Sequence, residues 1–190
     1  MSEEEKEQAW QLAKNALEIF LKEGRVIAVP KGLSAIFAEP GAAFVTLNLK
    51  TDGALRGCIG SIMPHRPLGE DIIKNAIQAA VRDPRFAPVD SRELPDIALE
   101  VSVLTTPKTL HYWNATNLLS KIRPGIDGVI IYRDHHQATF LPSVWEQLPD
   151  KTQFMQHLCA KAGLPPDAYL EGNLEVMTYQ AEICRENGVD

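Results

Sequence analysis

An α+β fold, a mainly antiparallel sheet covered by helices, is what this sequence predicts, and three observations carry it. Two short turn sequences, Thr51-Asp52-Gly53 and residues 133–137, join strand-like runs directly. Hairpins of that kind pair strands antiparallel, whereas parallel strands need a long crossover. Two longer segments repeat apolar residues at three and four, the helical period. No Gly-x-Gly-x-x-Gly or Walker sequence is present, so the phosphate-cradling parallel sheets have no signature here.

Taken in order, residues 3–23 read as a helix. Ala9, Leu12, Ala13, Ala16, Leu17 and Phe20 form its apolar stripe, acidic residues fill its first turn, and Gly24 stops it. Residues 33–38 read as a strand. Residues 43–49 alternate as a second strand, and Asp52-Gly53 turns it into the run 55–60. Residues 67–82 form a wide-striped helix with Pro67 in its first turn, ended at Asp83-Pro84. Residues 97–104 alternate as a strand, with Glu100 on the face away from Leu99 and Val101, so that carboxylate needs solvent, a cation or a polar cleft. A short helix is expected over 114–122. Strands follow at 129–132 and 138–141, with the loop 133–137 between them. Ser143 reads as the cap of a short helix and Thr152 as the cap of the next, whose stripe includes Cys159. Residues 174–184 read as one long last strand.

Composition narrows the function. A chain of 190 residues fits one domain or two small lobes sharing a core, and 45% hydrophobic residues is ordinary for a globular protein. A net charge of −6 argues against binding the phosphate backbone of nucleic acid. No apolar run approaches the ~20 residues of a membrane span. The start Ser2-Glu3-Glu4-Glu5 lacks the basic opening of a signal peptide. Three cysteines, Cys58, Cys159 and Cys184, show neither disulfide nor zinc spacing, so a reducing cytoplasm is expected, with no metal and no cofactor. His135 and His136 are adjacent and on an extended chain point apart, which favours a solvated loop over a ligand pair.

The stretch Leu55-Arg56-Gly57-Cys58-Ile59-Gly60 carries the chemistry. In a strand, Arg56 and Cys58 share a face about 6.5–7 Å apart. A cation that close favours the thiolate. Gly57 and Gly60 remove side chains where a ligand or another backbone must approach, and Gly60 leaves room beside the thiol. The plainer alternative is that Cys58 is a small core residue and Arg56 pairs with a carboxylate. Arg85 and Phe86 lie in an irregular segment after the second helix, where they either serve a site or fill the core and cap a helix end.

These residues also resemble a known family. The hexapeptide 55–60, Asp83-Pro84-Arg85-Phe86-Ala87-Pro88, Glu93-Leu94-Pro95, Glu100-Val101-Ser102-Val103-Leu104, Gly125-Ile126-Asp127-Gly128, Ala138-Thr139-Phe140-Leu141-Pro142 and Lys161-Ala162-Gly163 match the AMMECR domain family in order and spacing. Its bacterial branch is called AmmeMemoRadiSam system protein A. Ser61 stands where many relatives carry Thr. The resemblance implies one AMMECR-like domain over residues 1–190, built as two packed lobes with the hexapeptide near a cavity between them. It also implies a Memo-like protein and a radical-SAM protein as companions, and it supplies no settled reaction.

Two functional readings follow. In the first, the chain is a cytosolic enzyme or pathway component acting on a small molecule or a partner-bound substrate. Cys58 is its nucleophile or the ligand of a borrowed metal, Arg56 tunes the thiol or binds an anion, and Gly57, Gly60, Arg85 and Glu100 line the substrate site. In the second, it is a non-catalytic binding module or scaffold, and the hexapeptide is a tightly packed strand.

Overall fold

Ser2 Oγ accepts a hydrogen bond from the Glu5 amide, and the Glu5 carboxylate accepts one from the Ser2 amide, so helix α1 (Glu3–Glu23) begins with a capping box and ends at left-handed Gly24. The computed structural model describes residues 1–186. It divides the chain into two units, residues 1–104 with the chain from Glu182, and residues 105–181.

In the first unit, β1 (Pro40–Leu49) turns at residues 50–54 into β2 (Leu55–Gly60). The two pair antiparallel, with Thr46 opposite Cys58. On its other side β1 pairs antiparallel with β4 (Ile97–Leu104), with Thr46 opposite Glu100. The strand order is β2-β1-β4-β9, where β9 is Ala181–Cys184, and the short β3 (Arg66–Pro67) pairs with the start of β1. Helices α1 and α2 (Leu68–Val81) bury their stripes on the Val45, Leu47, Val101 and Val103 face. Trp10 on α1 donates its indole N–H to the Leu99 carbonyl at 3.0 Å.

A polar node ties α2 to the sheet inside this core. Asp71, only 1% exposed, accepts from the Ala43 amide at 3.0 Å and from Ser61 Oγ at 2.7 Å. Asn75, one turn on, donates to the Ala43 carbonyl at 3.0 Å and to Asp71 at 2.9 Å. Buried polar groups are tolerated when paired in this way.

The second unit holds a four-stranded sheet of order β5-β8-β6-β7, with β5 (Lys108–Thr109), β6 (Gly128–Arg133), β7 (His136–Phe140) and β8 (Glu175–Tyr179). Its pairs β5–β8, β6–β7 and β6–β8 are antiparallel. Helices α3 (Ala115–Lys121) and α4 (Lys151–Lys161) share its core, where Trp145 stacks on Phe154 at 3.6 Å between ring centres. Antiparallel sheets with helical cover bear out the expected fold class.

Four local expectations differ from the structure. Residues 33–38 hold no strand; Ala35–Ala38 is a 3-10 turn that buries Phe37. The expected last strand, 174–184, is two strands, β8 and β9, in different sheets. Ser143 lies inside a 3-10 turn, Pro142–Glu146, and caps nothing. Asp150, not Thr152, caps α4 by accepting from the Gln153 amide. Among the described residues no helix is long and apolar enough to cross a membrane.

Among the glycines, Gly57 is the most closely packed. A Cβ there would stand 2.1 Å from the Ala79 carbonyl oxygen of α2, a backbone atom that cannot swing aside. Gly57→Ala is expected to destabilise the fold by about 2 kcal/mol or more, because the helix must lift off the sheet. Urea unfolding reads this as a lower midpoint at an unchanged slope, and an unchanged midpoint would show that the helix yields freely.

Candidate functional site

The hexapeptide is the edge strand β2, and what covers its free edge builds the site. An edge strand leaves backbone groups unpaired. The amide of Cys58 is one of them, and it donates to the buried carboxylate of Asp83 at 2.8 Å. Asp83 follows the end of α2, so the helix delivers this carboxylate to the strand. The same carboxylate accepts the Arg85 amide at 3.1 Å, Arg85 Nε at 2.9 Å and a terminal Arg85 nitrogen at 2.6 Å. Arg85, 55% exposed at its side chain, also lies over the Phe86 ring at 5.5 Å. Its other terminal nitrogen has no protein partner among the described residues.

Arg56 does not sit beside the thiol as a tuning charge. It donates to Glu93 through Nε at 2.9 Å and through a terminal nitrogen at 3.0 Å, and to the Ala87 carbonyl at 2.9 Å. Arg56 thus clamps the segment 87–93 over the strand edge, and its pairing holds the Glu93 carboxyl below its usual range. The cation that acts on Cys58 is Arg85.

The two glycines are filled by the protein itself. Gly57 admits the α2 backbone, and the space at Gly60 is occupied by the Phe44 ring, whose atoms would lie 2.2 Å from a Cβ. The expected open room beside the thiol at Gly60 is therefore absent, because an aromatic side chain from β1 takes it.

Cys58, Thr46 and Glu100 lie in one row across β2, β1 and β4, on the sheet face away from α1 and α2. Thr46 Oγ1 donates to Cys58 Sγ at 3.3 Å. Glu100 is held by Arg185 Nε at 2.7 Å and accepts from Ser102 Oγ at 3.4 Å. Burial pushes the Cys58 thiol up. The Thr46 hydrogen bond and the Arg85 charge pull against that rise, while Asp83 and Glu100 add to it. Cys159 is raised by burial, and Cys184 is pushed up to about 12 for the same reason; both are buried, whereas Cys58 is only partly buried.

The structure therefore brings Cys58, Arg85 and Glu100 onto one region and turns Arg56 away from it. Reading the sequence missed Thr46 and the two carboxylates Asp83 and Glu93. Asp83 was legible only as a helix end, since nothing in spacing tells that its oxygen meets a strand amide 25 residues earlier. Among the described residues no three His, Cys, Asp or Glu side chains gather as a metal site. His136 instead meets the Ala162 carbonyl through Nδ1 at 2.8 Å, at the end of α4.

Comparison with known proteins agrees with the motif order. The AMMECR1 family matches residues 10–184. A protein of Methanothermobacter thermautotrophicus is 40% identical over 178 residues, covering 93% of this chain and 92% of the relative. One of Thermococcus onnurineus is 42% identical over 181 residues, covering 92% and 87%. The crystal structure of an uncharacterised protein, PH0010, from Pyrococcus horikoshii superposes with a TM-score of 0.90 at 39% identity, covering 96% of this chain and 92% of that one.

The Arg85 pairing holds the Asp83 carboxyl below its ordinary value of 3.8, helped by the amides of Cys58 and Arg85 and opposed by burial. The unfolded chain then binds more protons than the folded one as pH falls through that ordinary value. The stabilisation is complete above about pH 5 and is lost as pH drops toward the folded value. Asp83→Asn keeps an acceptor for the Cys58 amide and removes the charge. The gap in urea midpoint between wild type and this variant is expected to be wide at pH 7 and to narrow toward pH 2. A gap that does not change with pH would remove this carboxylate from the acid response.

Proposed function

This chain belongs to the AMMECR1 family, and we propose its function from the site itself: the sheet face around Cys58 binds a small anionic molecule, anchored by Arg85. The observation that carries this reading is the Arg85 guanidinium. Asp83 fixes its plane through two nitrogens and leaves a third without a protein partner. A guanidinium held in place loses little freedom on taking up a carboxylate or phosphate oxygen. The Cys58 thiol, the Thr46 hydroxyl and the Glu100 carboxylate share that face and limit what shape fits. In this reading Cys58 is a neutral, polarisable contact at rest, since its thiol is raised and no base hydrogen-bonds it among the described residues.

A second reading, thiol catalysis, is favoured by one observation: Arg85 and the Thr46 hydroxyl both stabilise a thiolate. A bound molecule that shields Cys58 without neutralising Arg85 would use them: the thiol proton leaves to solvent, Sγ adds to a carbonyl carbon of that molecule, and the electron pair of the broken C=O π bond moves to its oxygen, which takes up a proton from solvent. The Memo-like and radical-SAM companions implied by the resemblance are proposed, under either reading, as sources or users of the bound molecule.

Iodoacetamide labelling followed by mass spectrometry separates these. Cys58 is expected to label before Cys159 and Cys184, with a pH midpoint above that of an ordinary thiol. Arg85→Ala moves that midpoint higher, while Arg56→Ala leaves it in place and lowers stability. Inorganic phosphate is expected to slow labelling of the wild type and not of Arg85→Ala. Cys58→Ser keeps phosphate binding if the thiol is a contact. Equal phosphate effects on wild type and Arg85→Ala would overturn the anchoring role.

A further inference from the structure

A groove of about 800 Å³ lies in the first unit, and none of its lining residues belongs to the Cys58 face. Its floor is Ile73, Ile77 and Val81 of α2, the first two buried at the margin of the core, and its walls are Phe20 from the end of α1 with Val26 and Val29 from the segment that follows. Val26 is 61% exposed there, a large apolar side chain left open to water. That volume is in the range of small-molecule sites, and an apolar lining with few polar groups is their usual composition.

The polar groups stand in a line. Lys74, Gln78 and Arg82 follow one another at four-residue spacing along the same α2 face, about 6 Å per step. Neither the Lys74 ammonium nor the Arg82 guanidinium has a side-chain partner among the described residues. Two unpaired cations are conspicuous on a chain whose net charge is −6. Glu70, one turn before Lys74, is the single acidic side chain of the lining. It sets a direction, because an anion is repelled from that end and drawn toward Gln78 and Arg82.

We propose that this groove binds a single-chain aliphatic carboxylate from solution. The hydrocarbon lies on Ile73, Ile77 and Val81, and the carboxylate rests between Lys74 and Arg82, accepting from the Gln78 amide. Long basic side chains suit such a rim, since their stems extend the apolar wall while their charges stay in water.

Calorimetric titration with octanoate, decanoate and laurate, each below its micelle concentration, tests this. One site per chain is expected, tightening about fourfold for each added methylene, with dodecanol binding more weakly than laurate. Lys74→Glu should weaken laurate by about fivefold or more while urea unfolding remains as in wild type. Val26→Asp, at an exposed position, should flatten the chain-length dependence without unfolding the protein. Affinity that ignores chain length, or laurate binding that survives both substitutions, overturns the proposal. So does an outcome in which laurate does not bind and Val26→Asp instead abolishes self-association in sedimentation, or in which only fatty-acid vesicles bind.

Discussion

Helix α2 lies against the sheet at Gly57 at a distance no other residue permits. A Cβ would meet the Ala79 carbonyl at 2.1 Å. That one bare position sets where the helix runs, and the helix in turn sets two things along its length. Near its start, Asp71 and Asn75 reach the Ala43 backbone and lock the register of β1 beneath it. Beyond its end, Asp83 arrives within 2.8 Å of the Cys58 amide. A helix raised by the volume of a methyl group would lose the second contact, and a buried carboxylate without its donors is costly. The glycine of the hexapeptide therefore acts on the site from the opposite face of the strand.

The remaining polar residues of β2 answer the problem of an exposed strand edge. Unpaired amides and carbonyls invite another strand. Here the segment 83–93 lies along the edge, held at one end by Asp83 on the Cys58 amide and at the other by Arg56 on Glu93 and the Ala87 carbonyl. Two ion pairs share this work, Asp83 with Arg85 and Arg56 with Glu93. They also divide the two arginines. Arg56 is used up by the clamp, while Arg85, more exposed and only partly engaged, is left to act on the face that carries the thiol.

Much of this fold was legible because it rests on local rules. The helix 3–23 has its cap, its stripe and its terminal glycine in sequence, and Asp52-Gly53 announces the β1–β2 turn. What failed depends on contacts that spacing does not carry. Residues 174–184 are apolar enough for one strand, yet β8 and β9 end in different sheets, a choice made by distant partners. Ser143 fits a capping pattern, but Pro142 starts a 3-10 turn one residue too early for it to serve. Arg56 and Cys58 do share a strand, and their alternation was read correctly. The arginine side chain is long, though, and a carboxylate 37 residues away outcompetes a neutral thiol for it.

The electrostatics of Cys58 then decide how the site is to be regarded. Burial works against the thiolate, and Asp83 and Glu100 work in the same direction. Arg85 and the Thr46 hydroxyl oppose them, and the balance leaves the thiol raised. Arg85 is also tied to Asp83, so part of its charge is spent before it reaches sulfur. A nucleophile poised for attack needs the reverse ordering, with its cation free and its carboxylates distant. A surface that takes up an anion needs a guanidinium fixed in plane with a donor to spare, and that is the arrangement Asp83 imposes on Arg85. The same carboxylate that works against a reactive thiol is the one that orients Arg85, the proposed anchor.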